Sequence, residues 1–146
     1  MQWAVTPLNV VARRTVANVL IVDDELDMRL LVRIVIENAH EDIEIVGEAS
    51  DGADALRTWR TCPEPPDVVV LDYRMPGLSG LDVAAQLLAE RPDQIIVLYS
   101  AYLDDRTRAD ALLLGVASCV AKGDVAQLPD IILTLTAGRG DARLAC

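Results

Sequence analysis

Four short runs of unbroken apolar residues punctuate the chain: Val19–Val22, Val68–Leu71, Ile95–Tyr99 and, more weakly, Ala117–Ala121. Continuous apolarity without alternation marks strands covered on both faces, as in parallel sheets. A fifth stretch, Ile43–Glu48, mixes in polar residues and predicts an edge strand. Amphipathic segments lie between the runs. From Glu25 to Ala39, apolar Met28, Leu31, Val32, Val35 and Ala39 oppose a stripe of Arg29, Arg33, Glu37 and His40, the spacing of a helix. Gly52–Arg60 reads as a second helix, closed by Pro63, Pro65 and Pro66. Ser79 with Asp82 three residues on forms a capping box that opens a third helix, through Glu90. Asp104–Leu114 is a fourth, stopped by Gly115, and a fifth carries Pro129 in its first turn and stops before Gly138. Strands alternating with helices predict an α/β domain of βα units around a doubly wound parallel sheet.

Residues 1–17 and 138–146 fall outside this alternation and read as poorly ordered extensions of a single domain over 18–137. A length of 146 residues fits one domain, and a hydrophobic share of 52% supplies it with a core. With no Phe in the chain, that core must be aliphatic. The charge of −10 opposes nucleic-acid phosphates and anionic membrane surfaces. Cys62, Cys119 and Cys146 stand at no metal-ligand spacing and imply reduced thiols in a cytoplasm. The N-terminus, with Pro7 and with its arginines after the apolar stretch, is the reverse of a secretory signal.

Ligands of open parallel sheets bind at the carboxyl ends of the strands. Those ends carry Asp23, Asp24 and Glu25, then Asp72, then Ser100, then Lys122. Singly, each has a bland explanation: an acidic residue before a helix caps it, Asp72 forms a turn, Ser100 bonds its own backbone and Lys122 is a surface lysine. Together, at one end of the sheet, they predict a pocket in which carboxylates share a hard divalent cation such as Mg²⁺.

The combination of Val19-Leu-Ile-Val-Asp-Asp24, Val68-Val-Val-Leu-Asp72, Met75-Pro76-Gly77, Gly80, Ser100-Ala101 and Lys122 resembles the receiver domain of two-component response regulators. The stretches Asp42–Leu56 and Lys122-Gly123-Asp124 are similar to the LuxR/NarL type. The resemblance implies a flavodoxin-like (βα)5 fold with strand order 2-1-3-4-5. It implies Asp72 as phosphoacceptor, Asp24 as direct Mg²⁺ ligand, Asp23 as ligand through water and the Arg74 backbone carbonyl as a further ligand. It implies Ser100 and Lys122 as phosphoryl-binding groups, and a sensor histidine kinase or phosphotransfer protein as donor. Cys119 stands where most receivers carry a switch aromatic, so the expected switch is Ser100 with Tyr102, and Cys119 reads as a small buried hydrophobe. Gly123 replaces a proline common in the family, which favours a trans bond there.

The expected function is Mg²⁺-dependent phosphotransfer to Asp72 that switches protein–protein contacts in the cytoplasm, with no enzymatic activity beyond the domain's own phosphorylation and slow dephosphorylation. The output is an unidentified downstream protein, and a homodimer through the fourth and fifth helices follows by analogy. The sequence to residue 146 holds no DNA-binding domain, so the expectation is a stand-alone receiver or one separated from its effector by truncation, with no direct nucleic-acid or membrane binding by this chain. The alternative is a degenerate receiver serving as a phosphorylation-independent interaction module. A third reading, an aspartate-nucleophile phosphatase, would need an acid two residues after Asp72, where Arg74 stands.

Overall fold

A computed structural model of the chain describes residues 16–39 and 42–145. Its strands are β1 (Ala17–Val22), β2 (Ile43–Ala49), β3 (Val68–Asp72), β4 (Ile95–Ser100) and β5 (Ser118–Ala121). Its helices are α1 (Leu26–Ala39), α2 (Gly52–Thr61), α3 (Gly80–Glu90), α4 (Asp105–Leu114) and α5 (Leu128–Ala145), with a 3₁₀ segment over Lys122–Gln127 before α5. The strands form one parallel sheet in the order β2-β1-β3-β4-β5, so the mixed-polarity β2 lies at an edge as its sequence predicts. The apolar strands β1, β3 and β4 fill the middle, where side chains on both faces are covered.

Alternation along these strands divides the core in two. Leu20, Val22, Val69, Leu71, Ile96 and Leu98 pack with Leu56 and Trp59 of α2 and Val83 and Leu87 of α3. Val19, Ile21, Val68, Val70, Val97 and Tyr99 pack with Val32 and Ile36 of α1 and Leu128 and Ile132 of α5. At the amino ends of the strands, buried Gln94 accepts a hydrogen bond from Trp59 Nε1 at 2.9 Å. Its amide donates to the carbonyls of Asp67 at 3.1 Å and Ile95 at 3.0 Å. This network ties α2 to the starts of β3 and β4.

The Ser79 and Gly115 signals operate as expected: Ser79 and Asp82 make the reciprocal capping box, and Gly115 ends α4 in the left-handed region at φ 109°. Asp104 stands one residue outside α4 and caps it, its side chain accepting from Thr107 N. Three expectations need correction. β1 starts at Ala17, which is 3% exposed, so the N-terminal extension ends sooner than residue 17; residues 1–15 lie outside the described residues. Helix α5 runs to Ala145 instead of stopping before Gly138. A helix-interior glycine costs about 1 kcal/mol but does not end a helix, and Ala137, Ala142, Arg143 and Leu144 favour continuation. In α1, the buried side is Val32 with Ile36, while Leu31 and Ala39 are exposed. The segment is apolar on most sides, so periodicity left its rotation open; Arg29 and Arg33 set it by ion pairing with Glu48 on β2. All described peptide bonds are trans, including the one joining Lys122 and Gly123. No described helix is long and apolar enough to cross a membrane.

Candidate functional site

The pocket grows out of the carboxyl ends of the central strands. Val22 pairs with Leu71, so Asp23, one residue beyond β1, comes alongside Asp72, the last residue of β3. Asp72 pairs in turn with Tyr99 on β4, and Lys122 directly follows β5. Asp23 is 0% and Asp72 2% exposed, a placement that removes two carboxylates from water side by side. Lys122 Nζ bridges them, 3.2 Å from Asp23 Oδ2 and 3.3 Å from Asp72 Oδ1, with Glu25 Oε1 at 3.7 Å. Asp23 Oδ1 accepts from the Glu25 backbone N–H at 2.8 Å, and Arg29 Nη1 donates to the Asp23 backbone carbonyl at 2.6 Å. The Tyr99 hydroxyl donates to Asp23 Oδ2.

Burial, then the neighbouring Asp23 charge, pushes the Asp72 carboxyl up to about 7, against the pull of Lys122. Burial opposes the charge on Lys122, but Asp72 and Asp23 outweigh it and hold the ammonium above its ordinary value. Burial, then the hydrogen bond to Asp23, raises the Tyr99 phenol, which stays a donor.

Asp72 Oδ2 is buried without a hydrogen-bond partner among the described residues. Asp23, Asp24 and Glu25 each bring a carboxylate oxygen within 4.8 Å of the others, the last two exposed at the rim. An all-oxygen, acidic donor set beside an orphaned carboxylate oxygen fits a hard cation such as Mg²⁺. Arg74 lies two residues past Asp72 in the loop to α3, lining an open cavity of about 520 Å³ with Tyr73, Met75, Pro76 and Ser79. That loop is held close: Gly80 N donates to Tyr73 O at 2.7 Å, and a Cβ on Gly80 would stand 2.3 Å from the Asp72 carbonyl oxygen.

Buried Ser100 spends its hydroxyl on Tyr102, accepting from its N–H at 3.2 Å and donating to its carbonyl at 3.0 Å. Tyr102 itself is exposed. Cys119 is half-buried against the first core cluster, and burial pushes its thiol up, which keeps it a neutral packing group. Asp23, Asp72 and Lys122 therefore converge, with Asp24 and Glu25 at the rim; Ser100 ends β4 bonded to Tyr102, and Cys119 packs on the first core cluster from β5. Sequence reasoning missed Tyr99 and Arg29. The signal for Tyr99 was present, since a hydroxyl closes an otherwise aliphatic strand beside Asp72. Arg29 carried none, as a helical arginine is ordinarily a solvated residue.

Sheet order, a lysine-bridged pair of buried aspartates and a close glycine turn define an open α/β domain with an acidic pocket at the carboxyl ends of its central strands. The family model for the response regulator receiver domain matches residues 19–133, and the chain belongs to that family. The chemotaxis protein CheY of Listeria monocytogenes is 32% identical over 103 residues, which cover 70% of this chain and 83% of CheY. The response regulator UvrY of Escherichia coli is 34% identical over 110 residues, 75% of this chain, so the chain spans about half of that relative (49%). A crystal structure of a LuxR-family two-component response regulator from Aurantimonas superposes with a TM-score of 0.77 at 27% identity, covering 84% of this chain and 86% of that one. The fold, strand order and LuxR/NarL-type resemblance expected from the sequence hold.

Proposed function

We propose that this domain is a phosphoacceptor in a two-component phosphorelay and that Asp72 receives the phosphoryl group. The observation that carries the reading is Lys122 Nζ held 3.2 Å from Asp23 and 3.3 Å from Asp72 while Asp72 Oδ2 has no hydrogen-bond partner among the described residues. An Asp72 carboxylate oxygen attacks the phosphorus of a phosphohistidine donor, the P–N bond breaks, and the imidazole leaves with a proton. Lys122 draws negative charge off the phosphoryl oxygens, so the chain contributes positioning and electrostatics. Asp23, Asp24, Asp72 and the Arg74 carbonyl are the groups to hold Mg²⁺, which supplies further charge neutralisation when bound.

The donor is a sensor histidine kinase or phosphotransfer protein in the cytoplasm. Its landing surface is the exposed apolar stripe of Leu26, Leu30 and Ile34 on α1, with Leu31 beside it, which begins directly after Glu25 at the pocket rim. Once Asp72 is phosphorylated, Ser100 turns to the new phosphoryl oxygens. It then gives up both bonds to Tyr102, and the segment leading into α4 is released to change a protein contact. The domain acts as a signalling module and not as a turnover enzyme.

Incubation with acetyl phosphate and Mg²⁺ tests the reading, with intact mass as readout. Wild type is expected to gain one phosphoryl group, and EDTA or Asp72→Ala to abolish the gain. Incorporation that survives Asp72→Ala, or none into wild type, overturns it and leaves the phosphorylation-independent interaction module.

A further inference from the structure

Tyr99 is the largest of the fully buried side chains, and packing alone gives no reason for a hydroxyl at its tip. That hydroxyl donates to Asp23 Oδ2, the same oxygen that Lys122 Nζ approaches to 3.2 Å. The Tyr99 ring lies beneath the same ammonium, 5.2 Å from its centroid to Nζ. Oδ2 is thereby held by two partners, while Oδ1 accepts one hydrogen bond, from Glu25 N. Asp23 is 0% exposed, so water cannot replace a partner it loses.

We propose that Tyr99 is a positioning residue of the phosphoacceptor pocket. Its hydroxyl fixes Asp23 Oδ2, leaves Oδ1 to face the cation, and keeps Asp23 partnered when Lys122 transfers to the phosphoryl group on Asp72. The inference rests on the phosphoacceptor reading. Lys122 bridges two carboxylates at rest, and a phosphoryl group on Asp72 requires it to turn from Asp23. Without Tyr99, that turn leaves a buried carboxylate with the Glu25 N–H as its remaining donor from the chain, which penalises the phosphorylated arrangement. At rest the hydroxyl acts in the opposite sense. It drains charge from Asp23 that a bound cation would otherwise use, so the pocket holds Mg²⁺ less tightly than the bare carboxylates would.

Tyr99→Phe separates this role from filling, because Phe keeps the ring, its packing and its face toward Lys122. Calorimetric titration with Mg²⁺, followed by titration with beryllofluoride at saturating Mg²⁺, reads the two effects. The variant is expected to bind Mg²⁺ about three- to tenfold more tightly and beryllofluoride weaker by a similar factor. Unchanged affinities, or both weakened together, overturn the inference while leaving the phosphoacceptor reading intact. Wild type that takes neither Mg²⁺ nor beryllofluoride overturns that reading and this inference with it. If the variant melts too early to titrate, the wild-type Tyr99 hydroxyl proton decides by NMR. Protection from exchange that persists on beryllofluoride addition supports the role, and free exchange in that state overturns it.

Discussion

An ionised Asp72 lies beside Asp23 with little water to screen it, so the carboxylate we propose as phosphoacceptor works against the fold. Its carboxyl titrates near 7 in the native state and near 4 in an unfolded chain. Between those values the native state holds a proton that the unfolded state has lost, and stability falls as pH rises through the window. Asp72→Asn removes this penalty. In EDTA it is expected to stabilise the protein by about 1–3 kcal/mol at pH 8 and to give no gain below pH 4, read by urea denaturation across pH. The same residues mark how far a sequence exposes its chemistry. Asp23, Asp72 and Lys122 could be placed because each ends a recognisable strand, and strand ends in a parallel sheet meet. Tyr99 stood at a strand end too, but its partner was not legible there, because its hydroxyl reaches across Asp72 to the next carboxylate, a relation between side chains two strands apart.

The element that most constrains Asp72 is the turn into α3. A Cβ on Gly80 would meet backbone atoms, the Asp72 carbonyl at 2.3 Å and Tyr73 Cα at 2.9 Å, none of which can rotate away. At Gly77 a Cβ meets nothing within 4 Å, and the obstacle is φ of +79° alone. Gly80→Ala is therefore expected to cost at least about 3 kcal/mol and to abolish beryllofluoride binding, whereas Gly77→Ala costs about 1–2 kcal/mol and spares it; paired denaturation and titration compare them. Elements governed by local chemistry were legible: the Ser79–Asp82 box and the Gly115 stop each act within a few residues. The rotation of α1 was not. Its segment offers apolar residues on several sides, and the choice between them is made by Glu48, which arrives from a different strand to pair with Arg29 and Arg33.

At the scale of the molecule, the charge of −10 has two components. Part is concentrated at the carboxyl ends of the central strands, where Asp23 and Asp72 flank Lys122; the rest is spread over surface positions. The amino ends of the strands are knitted by Gln94, with Trp59 inserted from α2, 8% exposed and covered by Arg91 at 5.0 Å from its ring centroid. This separation has an optical consequence. The chain has two tryptophans, so Trp3→Phe leaves Trp59 as its sole indole emitter, at the opposite ends of the strands from the acidic pocket. Its fluorescence is expected to shift to the red on urea denaturation and to hold constant through Mg²⁺ and beryllofluoride titrations. The domain thus contains its own gauge of foldedness, blind to whether the signal is on or off.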